Sequence, residues 1–308
     1  GYKIRPYEVN KGDTDRAMAE AKELLGAALR EGQSVFRGLR KVKKIFNAIQ
    51  VDVTRVKPKV KITGEFWAQT TEGDGNYHMF QWLESEGAEV LVEPIGTWIE
   101  YKIWIARHHA EKEFATNKDK KSSIRKLRFA QIAFRMWHNF YRTALGFKTD
   151  PLPNQAKLAE YASAYYNTHL GGGEGHLEIG KNVMATKDRH AHMVISLKPF
   201  GCMPSTMSDG VQARVVADYK DAIFIPIETS GDGEVSARSR VQMKLYEAKK
   251  KAREEMDELL AARGVTIEQV QSYVDGHPKY ANAMRKLPEH QGISSAANLV
   301  AEVAGRIK

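Results

Sequence analysis

The segment Ser196-Leu197-Lys198-Pro199-Phe200-Gly201-Cys202-Met203-Pro204-Ser205 carries the only cysteine of the chain. A β-rich run enters a turn of Pro, Gly and Cys, and a helix is expected from Pro204 or Ser205, since proline suits the first helical turn. A thiol just ahead of a helix feels the positive end of its dipole, which lowers the thiol pKa and makes the thiolate a better ligand or nucleophile. A packed structural cysteine is the competing reading. A nucleophile there needs a partner base. His176, His190 and His192 are the candidates, and no spacing selects one of them.

Three further segments hold groups that bind or transfer protons. In Thr63-Gly64-Glu65-Phe66-Trp67 the Glu65 carboxylate would act as a base, bond a ligand or cap the next helix, and Asn76 and Tyr77 would join the same pocket. The glycines of Gly171 to Gly175, ahead of His176, permit close backbone approach to an anion. The Gly-Lys-Ser/Thr ending of a P-loop is missing, so a hinge is the alternative. In Glu228 to Glu234 the carboxylates lack the spacing of an EF-hand, while Thr229 and Ser230 would hydrogen-bond a ligand. Glu65 and Ser230 are the candidate catalytic side chains. Gly173, Gly175, Gly201, Cys202, Pro204 and Ser205 are the candidate cofactor-binding positions, with Cys202 the candidate metal ligand.

Strands and helices must bring these segments together. Short β-branched runs predict strands at 59–63, 88–93, 192–197 and 222–227. Helical spacing covers 14–31, 34–49, 77–86, a long stretch from 98 to 145 with a break near 117–123, 154–169, 205–218 and 235–263, with small helices after Gly264. Residues 71–76 read as a loop. This alternation predicts an α/β fold, a doubly wound, mostly parallel Rossmann-like sheet of about four strands. A helical segment over 1–54 would precede the sheet lobe at 55–250, which carries a large helical insertion at about 98–190, and a helical extension at 251–308 would follow. Ligands of such sheets bind at the carboxyl ends of the strands. The loops GEFW, PIGTW, KPFGCMPS and ETSGDG should therefore converge on one edge.

The chain has 308 residues and is 42% hydrophobic, enough for one large domain with an appendage. A lone cysteine forms no internal disulfide, so a reducing, cytoplasmic setting is expected. No apolar run is long enough to span a bilayer. The start lacks both a signal peptide and a Met, which predicts a beginning inside a longer chain or after processing. The formal charge is +9. The basic runs Arg40–Lys44, Lys118–Arg128 and Lys249–Arg253 all fall on helical segments and read as solvated faces. There is no zinc-finger spacing and no aromatic-basic RNA signature, so nucleic acid is not the expected partner.

Taken in order, PKVKITGEFW, GNYHMFQWLESEGAEV, GEGHLEIGKNV, HMVISLKPFGCMPS and IPIETSGDGEVSARSRVQ resemble the 2-hydroxyacyl-CoA dehydratase family. The likeness is nearest to the dehydratase-like C-terminal region of the large CoA-substrate-specific enzyme activases. It covers about residues 55–250. The resemblance implies Rossmann-like lobes around an iron–sulfur cluster, reduced by an ATP-hydrolysing activator and acting on a 2-hydroxyacyl-CoA thioester. Cys202 matches the family's cysteine in PFGCMPS and would inherit the ligand role. The N-terminal cysteines that complete such a site are absent here, as is the ATPase signature. The chain thus reads as one lobe, with a second lobe or subunit supplying the remaining cysteines of a [4Fe-4S] cluster and the chain alone retaining none. Two other readings stand beside it: a basic α/β module that docks nucleic acid or a protein, and a thiol hydrolase or transferase using Cys202.

Overall fold

The computed structural model describes residues 1–114, 118, 120–170, 173–288 and 292–307. In chain order the elements are α1 (Asp13–Arg30), α2 (Val35–Asn47), β1 (Lys59–Gly64), α3 (Phe66–Thr70), α4 (Met79–Ser85), β2 (Glu89–Leu91), α5 (Ile95–Glu113) and α6 (Lys120–Ala144). They continue with α7 (Gln155–Ser163), α8 (His176–Lys187), β3 (Met193–Pro199), α9 (Met203–Asp218), β4 (Phe224–Thr229), α10 (Glu234–Arg263), α11 (Ile267–Asp275) and α12 (Ser295–Val303).

The four strands form one sheet in the order β2-β1-β3-β4, and every pairing is parallel. This is the expected α/β, doubly wound architecture. Helices α4 and α10 cover one face, and α8 and α9 lie on the other. Pro226 sits inside β4 opposite Ser196, which a sheet tolerates because β4 is an edge strand.

The boundaries differ from expectation for local reasons. The second strand is only Glu89–Leu91, because the chain leaves the sheet toward Pro94, which precedes α5. The helix expected from 77 begins at Met79, since Tyr77 and His78 both have positive φ and cannot continue a helix backward. The expected loop at 71–76 contains a short 3₁₀ turn, Asp74–Asn76, held by the Asn76 amide donating to the carbonyls of Ala68 and Thr71. The helix expected over 154–169 stops at Ser163. Part of the break expected near 117–123 lies outside the described residues.

The two sheet faces are chemically unlike. Val60, Ile62, Met193, Ile195, Leu197, Ile225 and Ile227 point into an apolar core with α4 and α10. Each such side chain contributes about 1.5–3 kcal/mol on burial. The alternate positions Lys61, Thr63, Ser196 and Lys198 face the other way and are also buried, under α8 and α9. Both faces of a parallel sheet are usually apolar; here one is a polar layer.

The two ends of the chain pack on one another. Val42 and Phe46 of α2 share a core with Ala283 and Met284, and Val51 donates its N–H to the Ala281 carbonyl at 2.9 Å. Helix α10 runs unbroken through position 250, where the extension was expected to begin. Helices α5 and α6 pack side by side, with Gln131 donating to the buried Glu100 carboxylate at 2.8 Å. The outer side of α6 leaves Phe129, Ile132, Met136, Trp137 and Phe140 exposed. Among the described residues no helix is long and apolar enough to cross a membrane.

Candidate functional site

The strand order sends the β1–β2 connection to one side and the β3–β4 connection to the other. The topological switch point therefore lies at the carboxyl ends of β1 and β3, and in such sheets ligands bind in the crevice outside these ends. Gly64 pairs with Leu197 at this edge, and the Glu65 N–H donates to the Leu197 carbonyl at 2.8 Å. The Phe200 N–H donates to the Thr229 carbonyl at 3.0 Å, so the loops after β1, β3 and β4 share one edge. Glu65, Cys202 and the 229–233 loop lie along it, as parallel pairing requires.

Cys202 is half-buried and occupies the N-cap position of α9, with Pro204 in the first turn. The turn closes through the Cys202 N–H donating to the Pro199 carbonyl at 3.2 Å, and Gly201 takes φ +76° within it. Gly173 also has positive φ, and a Cβ there would lie 2.4 Å from two ring carbons of Pro204. Gly173 is thus pressed onto the start of α9. Gly171 and Gly172 lie outside the described residues. Gly175 stands beside the Tyr166 ring.

Ser205 turns inward, and its hydroxyl donates to the Glu178 carboxylate at 2.6 Å. Ser208 and Ser196 donate to the same carboxylate at 2.7 and 3.2 Å. Glu178 therefore ties α8 to both α9 and β3 through three hydroxyls. Next to it Lys198, fully buried, forms an ion pair with Asp209 of α9. Burial pulls the Lys198 ammonium below its usual range, against the opposing pull of Glu178, Glu228 and Cys202. Burial likewise raises the Glu174 carboxyl, helped by Glu178 and Glu65, while the Trp98 indole donates to Glu174 at 3.1 Å.

The other sequence-derived candidates take quieter places. The Glu65 carboxylate caps α3 by accepting the Ala68 N–H at 3.0 Å. Ser230 is exposed, and its backbone N–H and carbonyl both bond the Tyr77 hydroxyl, at 2.6 and 2.7 Å. Asn76 holds its own turn. His192 lies at the amino end of β3, where its Nδ1 accepts the Lys59 N–H at 3.0 Å, and His190 precedes it. Both are therefore on the edge opposite Cys202. Glu178, Ser196, Lys198, Ser208 and Asp209 were not singled out in the sequence. Ser196 and Lys198 alternate along a strand that otherwise holds Met193, Val194, Ile195, Leu197 and Pro199, but that spacing does not point to a buried polar layer.

His176 opens α8 and is fully buried between Tyr101 and Trp104, with ring centroids at 5.3 and 5.4 Å. Neither ring nitrogen makes a hydrogen bond. Burial, with a smaller contribution from His108, lowers its pKa to about 4. A folded pKa below the unfolded one means that the folded state resists protonation. Stability is then complete above the unfolded value near 6.5 and falls as pH drops toward 4, by about 3 kcal/mol in all. His176→Phe keeps the ring and removes the titration. Urea midpoints between pH 7 and 4.5 should fall much less for this variant than for the parent chain. Equal losses would exclude His176 as the source.

No family model, curated protein or solved structure matches this chain. Fold and site define its class as an all-parallel α/β protein with a switch-point crevice above a buried polar layer. A cluster ligated by cysteine needs several thiolates, and Cys202 is the only one. Among the described residues no group of three or more His, Cys, Asp or Glu side chains is placed to hold a metal ion. The residues of this chain alone do not fit an iron–sulfur cluster.

Proposed function

We propose that the chain is one lobe of a 2-hydroxyacyl-CoA dehydratase/activase-like protein and lends Cys202 to a cluster completed by cysteines of a second lobe. The ATP-hydrolysing module that would reduce it and the CoA thioester that would accept the electron lie with the rest of the assembly. The observation that carries this reading is the placement of Cys202. The residue is half-buried at the switch-point crevice and heads a 16-residue helix, with the buried Lys198 ammonium below. An anionic ligand there meets the positive end of the helix dipole, while the nearby Lys198 is already paired with Asp209.

The test uses the chain coexpressed with a cysteine-bearing partner lobe and purified without oxygen. The complex should hold iron and sulfide, and the isolated chain should hold little. Cys202→Ala should remove most of the iron from the complex while leaving its circular dichroism unchanged. A variant complex that keeps its full iron and sulfide would show Cys202 to be a packing residue.

One observation favours a second reading, a basic module that docks nucleic acid or protein. Helix α6 holds seven Lys and Arg and no acidic residue, beside its exposed Phe129, Trp137 and Phe140. Basic side chains interleaved with aromatic ones suit single-stranded nucleic acid. That reading requires affinity for an oligonucleotide to fall steeply as salt rises. A flat salt dependence sinks it.

A further inference from the structure

A cavity of about 360 Å³ lies against β1 and the end of β2, under α7 and α8 and reaching the amino edge of the sheet. Its walls include Lys3, Lys59, Lys61, Lys157, Lys181 and Glu93. Most of these cations are matched. Lys3 bonds Asp150, Lys157 bonds Asp188 at 2.6 Å, and Lys59 lies 4.0 Å from Glu89.

The interior wall is less closely paired. Lys61 and Lys181 are 8% and 3% exposed, and Glu93 exerts the strongest carboxylate pull on Lys181, ahead of Glu178 and Glu174. Glu93 is already engaged: one oxygen takes the Lys61 ammonium and the other accepts the Thr97 hydroxyl at 2.7 Å. Lys181 donates only to the neutral amide oxygen of Gln69, at 3.2 Å. Among the described residues Lys181 thus has no carboxylate in contact, and Glu93, Glu178 and Glu174 act on it from farther away. A buried charge without a counter-charge in contact is disfavoured, and Lys181 lines the cavity.

We propose that this cavity binds a small phosphate monoester, with Lys181 and Lys61 facing the phosphate. Lysine serves as a point-charge partner for phosphate. The volume exceeds that of a bare phosphate and falls in the range of small-molecule sites, which leaves room for a compact organic body. The site is distant from Cys202 and does not rest on the reading of that residue.

The test is made on the full chain at constant ionic strength, with chloride exchanged for inorganic phosphate and then for glycerol 3-phosphate. Thermal unfolding should shift upward with either anion, because a ligand that binds only the folded state stabilises it. Calorimetric titration should show glycerol 3-phosphate binding at least as tightly as phosphate. Lys181→Met should weaken both roughly tenfold or more, the loss of one charge-assisted contact. Without ligand the variant should be no less stable than the parent, because a buried ammonium with no carboxylate in contact has been removed. A lysine with a purely structural role gives the opposite result: lower stability and an unchanged anion response. Lys181→Gln provides the same comparison if the Met variant does not fold. No stabilisation of the parent chain by either anion, or an equal response in both variants, overturns the proposal.

Discussion

Glu178→Ala should lower the folding stability of the chain by about 4 kcal/mol, although Glu178 lies on a helix and its replacement by alanine favours helix formation. The carboxylate is 1% exposed and accepts from Ser196, Ser205 and Ser208, whose side chains are themselves fully buried. Its removal leaves those hydroxyls without their acceptor. Ser208 retains only a bond to the Ser205 carbonyl, at 2.9 Å. Each hydrogen bond to a charged group is worth about 1.5–3 kcal/mol, and each stranded buried group adds its own desolvation cost. Lys198 also loses one of the negative charges that support it. Glu178→Gln keeps the shape and one acceptor oxygen and should cost about half as much. Urea unfolding checks both, with the midpoint moving and the slope unchanged. Cys202 is the N-cap of α9, which is tied down through Ser205 and Ser208, so the Ala variant should also expose the thiol to faster alkylation. A loss below about 1 kcal/mol would mean that Glu178 is not the hub of this layer.

The strands were legible because their alternation is strong, and parallel pairing follows from the helices between them. Once that was known, the shared edge of Glu65, Cys202 and the 229–233 loop followed, because each segment comes directly after a strand. The polar layer was not legible. Lys59-Val60-Lys61-Ile62-Thr63 reads as a strand with one wet face, yet Lys61 and Thr63 are buried. What buries them is α8, where every residue from His176 to Val183 is buried, including Glu178, Lys181 and Asn182. Charged positions on a helix are ordinarily read as solvated. Only partners far away in sequence make its burial tolerable: Gln69 for Lys181, Ser205 and Ser208 for Glu178, and Gln212 for Asn182 at 2.7 Å. Spacing along the chain carries no trace of such pairings. The carboxylate read as a candidate base, Glu65, was visible for the opposite reason. It follows a strand directly and caps the next helix, so its neighbours are local.

Gly64→Ala should have the largest effect of any conservative substitution near the crevice. Gly64 has φ +116°, a region that alanine rarely enters, and a Cβ at this position would lie 2.0 Å from the Leu197 carbonyl oxygen and 2.5 Å from the Leu197 nitrogen. Both neighbours are backbone atoms of β3, the central partner of β1, so no side chain can turn aside to make room. The strands must separate where Gly64 pairs with Leu197. That movement breaks the bond from the Glu65 N–H to Leu197 and disturbs the Gly64 carbonyl, which accepts the Gln69 amide at 2.8 Å. Gln69 is in turn the partner of Lys181. Backbone strain and lost pairing together should exceed about 4 kcal/mol, seen as a fall in Tm of more than about 10 °C or as failure to recover folded protein. Gly201→Ala is the control. That glycine also has positive φ, +76°, and lies in the Cys202 turn, but a Cβ there meets nothing within 4 Å. Its replacement should cost only the left-handed backbone term, about 1–2 kcal/mol. If thermal unfolding found equal losses for the two variants, conformational preference rather than the approach of β3 would explain both, and the close contact between β1 and β3 would not be what shapes the crevice.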